Sequence, residues 1–252
     1  MRRSFYLVAT LCLAMASTVV VGADTAPVKM LATIAVEGSF SDVAKLLDKN
    51  AGAPVKTEFA QTVPLVERLS KGETADVVIL THAAVADLAA KGRVKSQADL
   101  LVSDVGIAFP DGAPQPPMKT TEDFVAFMKA TKSVAMSTQG TSGIYMAKLI
   151  TQLGLDDVVK PKAVLVPSGP TAARLMKGEV VAAIQQISEL RNGGAKNIVP
   201  LPDSIQLHTI FTAAVLNDTT RAKDADAVLK VLTSADAAAA YARSGTTPLV
   251  GK

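Results

Sequence analysis

Ser133-Val134-Ala135-Met136-Ser137-Thr138-Gln139-Gly140-Thr141-Ser142-Gly143 joins a short apolar run to a helical pattern through a loop that carries no charge. Residues 133–136 read as a buried strand. Beyond the loop, Tyr145, Leu149 and Leu153, with Met146 and Ile150 alongside, recur at the i, i+4 spacing of one helix face. A strand that feeds a polar loop at a helix start leaves backbone N–H groups unpaired, near the positive end of the helix dipole. That arrangement suits an anion. The lysine of a phosphate loop is missing, so a nucleotide is not the expected ligand.

The same alternation runs through the chain. Apolar stretches at 28–34, 55–59, 77–80, 102–109, 163–166, 180–185 and 205–216 read as strands. Helical patterns occupy 39–49, a segment with Pro64 in its first turn that ends near Gly72, then 83–90, 121–130, 171–177, 222–232 and 234–243. Near-continuous apolar strands between helices indicate an α/β protein with a mostly parallel sheet buried on both faces. The two long strands, 102–109 and 205–216, are natural crossings between two lobes. The expected division is 27–104 with 206–252 as lobe one, and 105–205 as lobe two.

Three other strand-to-helix junctions share the character of the opening loop: Ala35-Val36-Glu37-Gly38-Ser39, Ala60-Gln61-Thr62-Val63-Pro64 and Pro167-Ser168-Gly169-Pro170-Thr171. Such junctions lie at the carboxyl ends of parallel strands, where ligands bind. Two fall in each expected lobe and could face one another across a cleft. Taken singly, each has a plainer explanation. Ser39, Thr62, Ser142 and Ser168 could simply cap helices, worth ~1 kcal/mol apiece. Glu37 is a carboxylate in an otherwise uncharged junction. It could satisfy a helix start, act as a general base or meet a cationic ligand group.

Composition removes several classes of function. The net charge is +3, without basic runs, and aromatic residues make up 4%, which argues against nucleic acid. Arg2 and Arg3, the apolar stretch 5–16 and Val21-Gly22-Ala23 form an export signal, with cleavage expected after Ala23. Its removal takes away the one cysteine, Cys12, and leaves a net charge of +1. The mature chain is expected to be periplasmic and monomeric. His82 and His208 have no neighbouring histidine or cysteine pattern, so neither a metal nor a cofactor is expected. His208, inside an apolar stretch, suits a hydrogen-bonded core residue. Neither G-x-S-x-G nor G-x-G-x-x-G occurs.

Several segments together carry a resemblance: Gly72-Glu73-Thr74-Ala75-Asp76-Val77-Val78-Ile79, Ser142-Gly143-Ile144-Tyr145-Met146-Ala147-Lys148, Gln185-Gln186-Ile187-Ser188-Glu189 and Leu232-Thr233-Ser234-Ala235-Asp236-Ala237-Ala238. With the export signal, the chain resembles the molybdate-binding-protein-like periplasmic solute receptors. The resemblance implies a type II periplasmic binding fold, with two α/β lobes and a two-stranded hinge. It also implies an anion held by hydroxyls and backbone amides, and delivery to an ABC-importer permease. The four junctions and the resemblance together give the candidate binding set Ala35, Glu37, Ser39, Gln61, Thr62, Thr141, Ser142, Gly143, Ser168, Gly169 and Gln186.

The match to molybdate receptors is partial. Their first-loop serine falls at Ala35 and their tyrosine at Gln186; many relatives carry arginine at the position of Glu37 and tyrosine at that of His208. Losing one charge-assisted bond to an oxyanion costs ~1.5–3 kcal/mol, which counts against molybdate itself and leaves a molybdate-like oxyanion or a small organic acid as the expected ligand. The same family resembles aconitate isomerases in some of its members. For that chemistry Glu37 and His208 are the candidate acid/base groups, and Arg174 or Lys177 could hold carboxylates.

Overall fold

The computed structural model describes residues 26–251; the export segment lies outside them. In chain order, β1 (Val28–Thr33) passes through a 3-10 turn (Ile34–Ser39) into α1 (Phe40–Asn50). There follow β2 (Val55–Ala60), α2 (Thr62–Ser70), β3 (Val77–Thr81), α3 (His82–Ala90), β4 (Val94–Ser103) and β5 (Val105–Phe109). The middle of the chain forms α4 (Thr121–Ala130), β6 (Val134–Ser137), α5 (Thr141–Gln152), α6 (Asp156–Val159), β7 (Ala163–Val166), α7 (Ala172–Met176), β8 (Ala183–Gln186), α8 (Ile187–Asn192) and β9 (Asn197–Pro200). β10 (Thr209–Leu216), α9 (Ala222–Leu232), α10 (Ala235–Arg243) and β11 (Thr247–Pro248) complete it.

Two mixed sheets result, ordered β11-β4-β10-β3-β1-β2 and β7-β6-β8-β5-β9. The strand–helix alternation seen in the sequence produces their parallel parts, β3-β1-β2 and β7-β6-β8. The antiparallel parts arise where β4, β5 and β10 bring the chain across. Burial on both faces follows the two-residue period of a strand. On β3, Val77 and Ile79 enter one core with α1, α9 and α10, while Val78 and Leu80 enter another with α2 and α3. Ile107 and Ala108 divide in the same way between the two cores of the second sheet. Each fully buried aliphatic chain contributes ~1.5–3 kcal/mol, and no disulfide is needed.

The crossings differ from the sequence expectation. The strand expected at 102–109 is two strands, β4 and β5, broken at Asp104 and belonging to different sheets. The first half of β4 escaped notice because Lys95, Ser96, Gln97 and Asp99 interrupt its apolar pattern. The strand expected from residue 205 begins at Thr209 instead. Gln206 accounts for the delay. Its Oε1 accepts from the N–H groups of Val105 and Leu207, both at 2.9 Å, and its Nε2 donates to Val105 O at 3.1 Å. A side chain thus supplies the cross-links that a ladder would otherwise make.

Candidate ligand-binding cleft

Two of the four polar junctions meet directly. Gln61, the residue before α2, donates from Nε2 to Ser137 Oγ at 3.1 Å. Ser137 ends β6 on the other sheet, and its Oγ also accepts the Gly140 N–H at 3.0 Å. The loop before α5 therefore folds back on its own strand. Gly143 permits this closeness, because a Cβ there would fall on the Ser137 carbonyl. Thr141 is half-buried just ahead of it.

Thr62 and Ser142 occupy the facing helix starts. Neither caps a helix. Thr62 Oγ1 and Ser142 Oγ are buried and have no hydrogen-bond partner. A buried hydroxyl without a partner costs ~1–3 kcal/mol. Two of them lie on junctions that the Gln61–Ser137 bond links across the two sheets.

The junction at 35–39 is built differently. Ala35 is buried, and Ser39 donates back to Val36 O at 2.6 Å, so its hydroxyl is used within the turn. Glu37 reaches the other lobe, where Asn192 Nδ2 donates to its Oε2 at 3.2 Å. Gly38 lies against Asn192 as well: a Cβ there would stand 3.3 Å from the Asn192 Cβ. This turn therefore packs on α8. At the fourth junction Ser168 is exposed, while Gly169, at φ +80°, accepts from Gln185 Nε2 at 3.4 Å. Thr171 N–H donates to Gln185 Oε1 at 2.6 Å, which pins this loop to the end of β8.

Two expected site residues are engaged at the crossings. Gln186 turns its amide to them, its oxygen accepting from Thr209 Oγ1 at 2.8 Å and its nitrogen donating to Ser103 O at 2.9 Å. His208 is not a core residue of a strand: it is exposed, ahead of β10, and its Nδ1 lies 2.7 Å from Asp104 Oδ1. His208 belongs to a segment that joins the two sheets, and Gln186, at the end of β8, bonds to both such segments. Arg174 turns to Glu179 at 2.7 Å. Among the described residues, no group of three or more histidine, cysteine, aspartate or glutamate side chains could hold a metal. No helix among them is long and apolar enough to cross a membrane.

One site candidate was missed. Glu189, on α8, is only 6% exposed, and its Oε2 has no partner. Burial pushes its carboxyl up to about 8; a hydrogen bond from Gln185 opposes the rise, and the charge of Glu37 adds to it. The group therefore sits between the 35–39 turn and the Gln185-pinned loop. A signal was present in the sequence, where Glu189 is the lone charge in the uncharged stretch 182–190.

The sequence profile of the bacterial extracellular solute-binding proteins matches residues 28–247. An aconitate isomerase from a Pseudomonas species is 32% identical over 251 residues, covering 94% of each chain. The periplasmic molybdate-binding protein of Azotobacter vinelandii superposes with a TM-score of 0.72 at 15% identity, over 87% of this chain and 98% of that one. The sulfate-binding protein SubI from Mycobacterium tuberculosis H37Rv gives 0.69 at 16% identity, over 88% and 87%. At such identities these two structures share the fold alone.

Proposed function

The chain belongs to the bacterial extracellular solute-binding protein family, and from that premise we propose that it captures a small organic anion between its lobes in the periplasm. The observation that carries this is the pair of buried, unpartnered hydroxyls, Thr62 Oγ1 and Ser142 Oγ, on junctions joined by the Gln61–Ser137 bond. A carboxylate can accept from both at once, and the transfer of such bonds to an ionised acceptor strengthens them. Closure by bending at 103–105 and 206–209 would bring the hydroxyls onto the ligand, so ligand and closed state stabilise one another. The first junction offers Ala35 rather than a hydroxyl, and it carries the Glu37 carboxylate. Both features disfavour a compact dianion such as molybdate and favour an acid with carbon-borne carboxyls. Handing the acid to an ABC importer is the role that goes with this capture.

A second use of the same cleft is favoured by the 32% identity to an aconitate isomerase along nearly the whole chain. In that case the closed cleft would exclude water while a proton moves between allylic carbons of a tricarboxylate.

One experiment addresses both. Thermal unfolding of the mature protein is followed with molybdate, sulfate, citrate and cis- and trans-aconitate. A ligand at a hundred times its Kd adds about 2.7 kcal/mol, roughly 5–10 °C for a chain of this size. The expected result is such a rise with a carboxylate. If none of the anions moves the transition, anion capture is wrong. Absorbance of trans-aconitate at high protein concentration then separates the roles: turnover assigns an isomerase, and a flat trace with tight binding assigns a receptor.

A further inference from the structure

Glu189 is a buried ionisable group outside the Thr62–Ser142 pair of hydroxyls. Its carboxyl lies near Gln185 and feels the charge of Glu37, while Oε2 is left without a partner. The elements packed on α8 bring it no unpaired cation among the described residues. The 3-10 turn carries Glu37, and α7 carries Arg174, which is bound to Glu179. β5, β8 and β9 hold no charged residue. Asp104, just ahead of β5, is paired with His208, and Arg191 on α8 itself is exposed. A carboxylate out of water, facing a second carboxylate, favours its neutral form. A neutral carboxyl is an O–H donor as well as an acceptor.

We propose that Glu189 keeps its proton in the ligand complex and donates it, through Oε2, as a hydrogen bond to a carboxylate oxygen of the bound organic acid. The proposal rests on the anion-binding reading above and names a residue and a ligand group within it. It gives the cleft a third donor, on the side where Ala35 has none. An O–H···O⁻ bond of this kind is short and strong. No proton leaves Glu189, so no further reactant is required.

Proton linkage follows. An anion beside Glu189 holds the proton more tightly than the free protein does. Binding is therefore at full strength below about pH 8 and weakens as pH rises through that value, because a proton must then be taken up with the ligand. A buried acid serving only the fold would alter stability with pH but would not couple to ligand.

The test is calorimetric titration of the whole mature protein with trans-aconitate from pH 7 to 9.5, in buffers of different ionisation heat, for wild type and Glu189→Gln. Wild type should lose affinity by up to about tenfold per pH unit above pH 8, with proton uptake approaching one. Glu189→Gln, which retains an N–H donor, should bind across the range with neither slope nor uptake. A flat wild-type profile without uptake overturns the assignment, and so does an unchanged slope in Glu189→Gln. Binding of molybdate but not of trans-aconitate or citrate leaves the cleft as an anion site and removes the carboxylate partner. If none of the three binds at pH 7 to protein with an intact unfolding transition, the anion cleft itself fails, and this inference with it.

Discussion

The two ends of α2 carry opposite designs. At its carboxyl end, Arg68 donates from Nε to Glu73 Oε2 at 2.6 Å and from Nη2 to Glu73 Oε1 at 2.6 Å and Glu58 Oε2 at 2.7 Å. Lys29 completes the group at 2.7 Å from Glu73. At its amino end, six residues before Arg68, Thr62 buries a hydroxyl with no partner. The solvent-facing end is satisfied within the protein, and the cleft-facing end is not. Polar groups that serve the fold find each other, whereas polar groups that serve a ligand are kept apart by the rigid elements carrying them. The cost of the unpaired end is met by the packed cores on both faces of the sheet.

Substitutions can break this contrast, and the largest effect is expected at Gly143. In Gly143→Ala the new methyl must displace the Ser137 carbonyl, so the loop and the Gln61–Ser137 link move together. Overpacking of this sort costs ~1–3 kcal/mol or more. Thermal unfolding should fall by several degrees and anion binding should vanish; a variant with wild-type binding would show that the loop is not part of the site.

Removing the hydroxyls should separate binding from stability. For Ser142→Ala or Thr62→Val, anion affinity measured by calorimetry should drop about ten- to hundredfold each. The unfolding temperature without ligand should stay level or rise, since an unsatisfied buried group has been removed. Loss of stability with affinity intact would reverse the assignment.

At the other end of α2 the smallest effect is expected, and it concerns acid alone. The Arg68 and Lys29 hydrogen bonds hold the Glu73 carboxyl down to about 2, from an ordinary 4.5. Its contribution is complete above pH 4.5 and is lost as pH falls through about 2. Glu73→Gln should therefore flatten the acid limb of a stability–pH curve between these values, with little change at neutral pH, where such exposed pairs contribute little. Anion affinity should not change. If it does, the two ends of α2 are coupled and the contrast is weaker than drawn.

Much of this was legible in the residues. Strands buried on both faces announce themselves as apolar runs, so β1, β3 and β6 were visible, and the helix expected over 121–130 is α4, Thr121–Ala130. The polar junctions could be located as well, though not what each hydroxyl does. Ser39 proved to be used inside its turn, and Gln186 at the crossings, because the partner of a side chain depends on atoms far away in sequence. The crossings misled for a related reason. Gln206 closes the ladder with its own amide, and no pattern in the segment distinguishes that from a strand. Glu189 was visible as an isolated charge, but its burial depends on the 3-10 turn Ile34–Ser39, distant in sequence, packing on α8.

By itself the sequence determined the α/β alternation, the family and the four polar junctions, since each follows from local periodicity, composition or motif. Only the tertiary structure decided which junctions face each other, which hydroxyls remain unpaired and which carboxyl is shut away from water. Those properties depend on distances between residues as far apart as Gln61 and Ser137, and the chain sets them only when both sheets are packed.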